Sequence, residues 1–283
     1  MNKLYLQELI RNALAEDIGA GDLTTVLVIA PGRQAKAQIL AHEKLVLAGT
    51  DAAELAFKLL DPDIRFDLNG EDGAVLEPDE LIAGLSGNAA AILSAERVAL
   101  NFLQRMSGIA TLTRRFVQRV EGLGARIADT RKTTPGLRIL EKQAVRAGGG
   151  VNHRMGLYDG ILIKENHLAL AGERAIERAI ELARRQAHHL VKVEIEVDSA
   201  DAAEAAARAG ADAILLDNMV PAEMREAVNH IRNVSERIII EASGSVSLDN
   251  VREVAETGVD VISVGKLTHS APAVDISLEI IED

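Results

Sequence analysis

The sequence predicts an α/β protein: a C-terminal α/β barrel of repeated βα units preceded by a separate α+β domain. Three observations carry this. From about residue 190, short β-branched runs alternate with alanine-rich amphipathic segments closed by glycine or a turn, the pattern of a parallel sheet. The candidate strands end in polar residues: Asp129 and Arg131, Lys164 and Asn166, Glu196, Asp217 and Asn218, Glu241 and Ser243, and Gly265. Residues at the carboxyl ends of barrel strands converge on one mouth. Any one of these polar ends is equally explained by a strand meeting water; their coincidence favours the barrel. Finally, the first hundred residues lack the βα alternation altogether.

Taken in order, 35–40 and 44–48 read as short strands, 52–60 as a helix, and 93–120 as a long helical stretch. On that last stretch Val98, Phe102, Met106 and Ile109 share one side, and Arg97, Asn101, Gln104 and Arg105 the other. A break is expected at Ser107-Gly108, which sets the domains at 1–107 and 108–270. Further strands are expected at 125–130, 161–164, 191–197, 213–216, 238–242 and 259–264, and helices at 175–187, 202–209, 221–231 and 248–257, making about six βα units. Pro221 occupies the first-turn position where a missing N–H costs nothing.

Composition narrows the function. The 283 residues carry 31 basic and 43 acidic side chains, a net charge of −12, with 2% aromatics, which argues against a nucleic-acid-binding face. The absence of cysteine removes disulfides, thiolate zinc sites and redox-thiol chemistry. The N-terminal residues contain early charges and no signal-type apolar core, and no apolar run reaches ~18 residues, so a soluble cytoplasmic protein is expected.

Within this acidic chain, segment 131–164 holds seven cations, Arg131, Lys132, Arg138, Lys142, Arg146, Arg154 and Lys164, against Glu141 and Asp159. Arginine forks onto carboxylates and phosphates, and lysine is a point charge for phosphate, so the segment reads as an anion pocket. Arg138, Lys142 and Arg146, four residues apart, fit a solvated helix face as well. Arg131, Lys132, Arg154 and Lys164 sit at strand ends or near Gly148-Gly149-Gly150, where a missing Cβ lets backbone approach a ligand. His153, between Asn152 and Arg154, is a candidate carboxylate donor or acid–base group, whereas His167 has no neighbour that lifts it above a structural role. Glu196 and Asp217 suit ribose hydroxyls, a divalent cation or a developing positive charge. Glu194 shares the face of Glu196, so an interior position needs cations or a ligand to offset the charge. Ser243-Gly244-Ser245 and Gly265 precede helical segments, as barrel phosphate sites do. Dinucleotide-fingerprint, P-loop and zinc-protease patterns are missing.

These residues closely resemble the quinolinate phosphoribosyltransferases, also called carboxylating nicotinate-nucleotide pyrophosphorylases. The resemblance runs through Glu16-Asp17-Ile18-Gly19, Gly21-Asp22-Leu23-Thr24-Thr25, Glu96-Arg97 and Ser107-Gly108-Ile109-Ala110-Thr111. Its most specific part is Asp129-Thr130-Arg131-Lys132-Thr133-Thr134-Pro135-Gly136-Leu137-Arg138. It continues through Asn152-His153-Arg154, Leu162-Ile163-Lys164-Glu165-Asn166-His167, Glu194-Ile195-Glu196, Leu216-Asp217-Asn218 and Glu241-Ala242-Ser243-Gly244, with Glu165 standing where aspartate is common.

The resemblance implies an incomplete TIM-like α/β barrel flanked by an N-terminal α/β sandwich that the tail 271–283 joins, in a homodimer. It implies phosphoribosyl transfer from phosphoribosyl pyrophosphate to quinolinate with decarboxylation. The products would be nicotinate mononucleotide, CO2 and pyrophosphate, in de novo NAD biosynthesis. Quinolinate would be held by Arg97 of the partner chain, Arg131, His153 and Arg154, with Lys132 and Lys164 between acid and pyrophosphate. Glu196 and Asp217 would hold the ribose, and Ser243, Gly244 and Gly265 the 5′-phosphate, with Ser245 a further substrate-binding residue. Lys132, Lys164, Glu196 and Asp217 are the expected catalytic set. Magnesium would arrive with phosphoribosyl pyrophosphate, since no dedicated protein metal site is legible. A nicotinate-using sister enzyme, a molybdenum-transport-associated relative and a non-catalytic anion-binding module are the rivals; the full cation set favours the dicarboxylate enzyme.

Overall fold

The structure is a computed structural model that describes residues 3–172 and 174–281. In chain order the elements are α1 (Lys3–Ile18), α2 (Leu23–Val28), β1 (Gln34–Ala41), β2 (Leu45–Val46), α3 (Thr50–Leu60), β3 (Arg65–Leu68), β4 (Val75–Leu76), β5 (Leu81–Asn88) and α4 (Ala89–Arg119). Then come β6 (Arg126–Ala128), α5 (Arg138–Ala147), β7 (Ile161–Ile163), α6 (Glu165–Ala171), α7 (Ala175–Gln186), β8 (Val193–Val197), α8 (Ala200–Arg208) and β9 (Ala213–Asp217). The chain ends with α9 (Pro221–Val234), β10 (Ile239–Ser243), α10 (Val251–Ala255), β11 (Val261–Ser263), α11 (Lys266–His269) and β12 (Ile276–Ile281). No helix among the described residues is long and apolar enough to cross a membrane.

The chain forms two compact units, Met1–Arg114 with Thr134–Gly149 and Ser270–Asp283, and Arg115–Thr133 with Gly150–His269. In the first unit an antiparallel sheet has the order β12-β1-β5-β3, and β2 pairs with β4. Alternation along β1 buries Ala37, Ile39 and Ala41 and leaves the intervening residues half-covered, as a sheet with one packed face requires. The C-terminal strand returns to the front of the chain, with Ala41 opposite Ile276 and Lys36 opposite Ile281. Its approach is held by Gln104 Nε2 on the Ile276 carbonyl (2.8 Å) and Arg105 Nη1 on the Ala271 carbonyl (2.9 Å).

The second unit is the predicted parallel array, in the order β6-β11-β10-β9-β8-β7. Ile195, Ile214, Leu216, Ile240, Ala242 and Ile262 are fully covered, which fits strands packed on both faces. A bridge from Ala128 to Val151 extends the array past β6, yet no ladder joins β6 to β7 among the described residues. Laid flat, six strands would separate β6 from β7 by roughly 24 Å. Residues following both strands nevertheless line one cavity, Arg131 and Lys132 from one side and Lys164 from the other, so the sheet is curled into an incomplete barrel. Its amino-terminal rim is tied by a repeated device. Asp212 accepts from the Val193 N–H (2.9 Å) and from Arg184 Nη1 (3.3 Å); Asp260 accepts from the Ile240 N–H (2.7 Å) and from Arg232 Nη2 (2.8 Å).

Several local details differ from the expectations. The helix α4 runs through Ser107-Gly108 without a break. Gly108 is there because a Cβ would lie 2.0 Å from the Pro272 carbonyl oxygen, so the glycine serves packing against the returning tail rather than termination. At Gly148 likewise the missing Cβ makes room for the Ala110 carbonyl and Thr113. The segment 134–149, placed by the sequence reading within 108–270, packs in the first unit. There Lys142 is buried rather than solvated, beside a Glu141 carboxylate that accepts from Arg105 Nη2 (3.0 Å) and from the Thr134 hydroxyl (2.8 Å).

Alanine is the better helix former by about 1 kcal/mol, so propensity alone predicts that Gly108→Ala stabilises the protein. The overlap with Pro272 reverses the sign. A loss of about 2 kcal/mol, read as a lowered Tm, is expected.

Candidate active site

The cavity at the carboxyl ends of the parallel strands has a volume of about 190 Å³ and is lined by Thr130, Arg131, Lys132, His153, Arg154, Leu162, Lys164, Glu196, Leu215, Asp217, Glu241, Ser243 and Ser263. Each strand of the barrel supplies the residue at or just past its end. Of the expected set, the structure brings together Arg131, Lys132, His153, Arg154, Lys164, Glu196, Asp217 and Ser243. Gly265 stands beside this group, with the Lys132 Cδ 3.1 Å from where a Cβ would be. Gly244 and Ser245 do not line the cavity. They lie against Asn218, whose Oδ1 accepts from the Ser245 hydroxyl at 3.5 Å. A Cβ on Gly244 (φ +91°) would fall 2.1 Å from that oxygen, and Asn218 (φ 54°) and Ser245 (φ 49°) are themselves left-handed. Such backbone strain gathers where a loop is shaped for function. Arg97 is on α4 in the other unit, its side chain 57% exposed with Glu96 3.5 Å away.

Hydrogen bonds fix the backbone of Lys132 and the guanidinium of Arg154. The Lys132 N–H donates to Thr130 Oγ1 (3.0 Å), and its carbonyl accepts from the Thr268 hydroxyl (2.7 Å). Arg154 Nη1 donates to the Gly160 carbonyl (2.8 Å), while its Nε is buried with no hydrogen-bond partner. Burial and the neighbouring Arg131 guanidinium push Arg154 below its ordinary value, with Glu194 and Asp159 opposing. Two guanidiniums held together in a partly dry site repel one another, and an anion between them relieves that cost. The buried Asp129 carboxylate shapes the loop carrying these groups, accepting from Asn152 Nδ2 and from the His153 N–H (2.9 Å).

The carboxylates are not free acids at the rim. Lys164 Nζ donates to Glu196 Oε2. Burial pushes the Glu196 carboxyl up; Lys164 pulls it back, and Glu165 and Asp217 push it further. His167 is a capping residue, its Nδ1 accepting the Lys164 N–H (2.9 Å) at the start of α6. His153 is sandwiched lower down. Its Nδ1 accepts the Arg154 N–H (2.7 Å), which places the ring proton on Nε2, 3.2 Å from Glu194 Oε2 and 3.6 Å from Glu241 Oε1. The sequence reading did not choose Glu241 as a site residue. Burial, then Glu194, raise its carboxyl to about 7. The available signal was alternation, which puts Glu241 and Ser243 on one face of β10.

Comparison with known proteins identifies the family. The family model for the N-terminal domain of quinolinate phosphoribosyl transferase matches residues 22–107, and that for its C-terminal domain matches 109–279. The chain belongs to the quinolinate phosphoribosyltransferase family. A Bacillus subtilis relative, a probable carboxylating nicotinate-nucleotide pyrophosphorylase, is 45% identical over 99% of this chain and 95% of its own. The Mycobacterium leprae nicotinate-nucleotide pyrophosphorylase is 40% identical over 97% of this chain and 96% of its own. The crystal structure of NadC from Streptococcus pyogenes superposes with a TM-score of 0.93 at 38% identity, covering 100% of this chain and 99% of that one. At this level of likeness the fold is shared, with an incomplete parallel barrel and a separate antiparallel-sheet domain in this chain.

Glu241 makes stability depend on pH with a definite sign. Its folded value of about 7 lies above the ordinary 4.5, so the folded state holds a proton that the unfolded chain releases, and stability falls as pH rises across that window. Glu241→Gln, which cannot ionise, should exceed the parent's urea midpoint at pH 8 and differ little from it at pH 5.

Proposed function

We propose that this chain transfers the phosphoribosyl group of phosphoribosyl pyrophosphate to quinolinate and decarboxylates the product, giving nicotinate mononucleotide, CO2 and pyrophosphate in NAD biosynthesis. The observation that carries this is the meeting of Arg131, Lys132, Arg154 and Lys164 with Glu196 and Asp217 in one cavity of a chain belonging to this family. Four cations in an acidic protein suit substrates that bring two carboxylates and a pyrophosphate.

Arg131, Arg154 and His153 hold the pyridine dicarboxylate, and Lys132 and Lys164 lie between it and the pyrophosphate. Magnesium enters as part of the phosphoribosyl pyrophosphate substrate, as the counter-ion of its phosphates. Ser243, Gly244, Ser245 and Gly265 seat the 5′-phosphate, a role supported by the strained loop after β10. Glu196 and Asp217 hold the ribose hydroxyls and favour positive charge as the bond from C1′ to pyrophosphate breaks. The pyridine nitrogen donates its lone pair to C1′. The ring becomes a pyridinium, the C2 carboxylate leaves as CO2, and its bonding pair stays on C2 beside N⁺ until a proton is taken up. Positioning and fixed charge account for the enzyme's part.

Assembly as a homodimer in the cytoplasm completes the reading. Arg97, on the exposed side of α4, would enter the partner's cavity and complete the carboxylate clamp. Two variants test the arrangement. Arg131→Ala is expected to lose turnover by more than about 100-fold while Tm and dimer mass persist; turnover like the parent's contradicts the assignment. Arg97→Ala and Lys164→Ala, each inactive alone, should recover activity when unfolded and refolded together, because a mixed dimer rebuilds one intact site. Mixed dimers without activity would mean that Arg97 does not act across the interface.

A further inference from the structure

The mechanism leaves Glu241 unused, although it lines the cavity and is almost wholly buried. A carboxylate on the floor of a pocket for a dianion is an electrostatic contradiction: it repels the substrate that the arginines attract. The surroundings sharpen the problem. Glu194 of β8 lies across the His153 ring, and Asp129, past β6, adds to the negative field. Facing them are His153 and the Ser263 hydroxyl of β11, which hydrogen-bonds the Glu241 carboxyl. Arg131, Lys132, Arg154, Lys164, Glu196 and Asp217 lie around the cavity above. One imidazole nitrogen of His153 and one carboxylate oxygen each of Glu194 and Glu241 all fall within 4.8 Å of one another, and Glu241 Oε1 has no hydrogen-bond donor. The cluster cannot relieve itself by protonating His153 at Nδ1, because that nitrogen is occupied as the acceptor of the Arg154 N–H.

We propose that Glu241 is a positioning residue that binds a proton together with the pyridine dicarboxylate: neutral, it backs the His153 ring without repelling the substrate, and ionised, it weakens binding. Glu194 then keeps the Nε2–H of His153 while Glu241 carries the added proton, so the ring stays oriented beside Arg154. The value of about 7 places this exchange in the neutral range. By linkage, a substrate that prefers the protonated site draws a proton from solution when it binds. The inference rests on reading this cavity as the quinolinate site.

The test is quinolinate binding to the intact protein by calorimetry in buffers of different ionisation enthalpy, with KM and kcat followed from pH 6 to 9. The parent should take up about one proton per site at pH 8, and its KM should rise by up to about tenfold per pH unit above neutrality, with kcat changing far less. Glu241→Gln should take up none, and its KM should stay flat. In Glu194→Gln the rise in KM should begin at lower pH, since the repulsion that holds the proton on Glu241 has gone. Turnover with no proton uptake in the parent, or an unchanged KM profile in Glu241→Gln, overturns the inference and leaves the proposed reaction standing. So does a stoichiometric divalent metal found in the parent and lost in Glu241→Gln. Neither binding nor turnover of quinolinate overturns both.

Discussion

A parallel sheet that curls until its strand ends face one another forces charges of both signs into one small volume, and the rest of this molecule follows from holding them there. Guanidiniums at Arg131 and Arg154 crowd together while Glu194, Glu196 and Glu241 point inward from β8 and β10. None of these would stay put in a loosely packed site. The opposite rim is fastened by Asp212 and Asp260, each clamping a neighbouring strand to an arginine of the preceding helix. Fully covered isoleucines and leucines along β8 to β11 fill the space between. Stability is concentrated at the amino-terminal rim and the core, and electrostatic strain at the carboxyl ends, the usual division of labour in barrels.

That strain is what makes the site useful. Fixed charges that already repel one another, or are already partly dry, need no rearrangement when an anion or a developing cation arrives. Arg154 has an unpartnered Nε and the Arg131 guanidinium alongside, so an anion in the cavity would relieve its cost. Glu196 is lifted by burial and restrained by Lys164. Lys164 and Glu196 are partners already, whereas Arg154 Nε and Glu241 Oε1 have no hydrogen-bond partner.

Much of this was legible in the sequence, and the failures have physical causes. The six parallel strands were readable because their β-branched runs are local signals, and Arg131, Lys164, Glu196 and Asp217 because they stand at the ends of those runs. Most of the antiparallel sheet was not. Its edge strand β12 pairs with β1 across almost the entire chain, and nothing local in 276–281 announces that partner. Ser107-Gly108 looked like a break because glycine is a poor helix former; the reason for it, the Pro272 carbonyl, is far away in sequence. Lys142 was left open between an anion pocket and a solvated helix face, because four-residue spacing is shared by exposed and buried helix faces alike. Glu241 was visible as a polar strand end and as part of the Glu241-Ala242-Ser243-Gly244 motif, but not as a site residue, since its neighbour His153 comes from another loop.

The central claim is that one cavity joins a pyridine dicarboxylate to a phosphoribosyl group and then releases a carboxylate. The most direct measurement is the stoichiometry of CO2 and pyrophosphate formed by the purified protein from quinolinate and magnesium phosphoribosyl pyrophosphate, with nicotinate in parallel. Equal amounts of the two products from quinolinate, and neither from nicotinate, is the expected result. Pyrophosphate released with nicotinate as readily as with quinolinate, or no turnover of either by the folded protein, would contradict it.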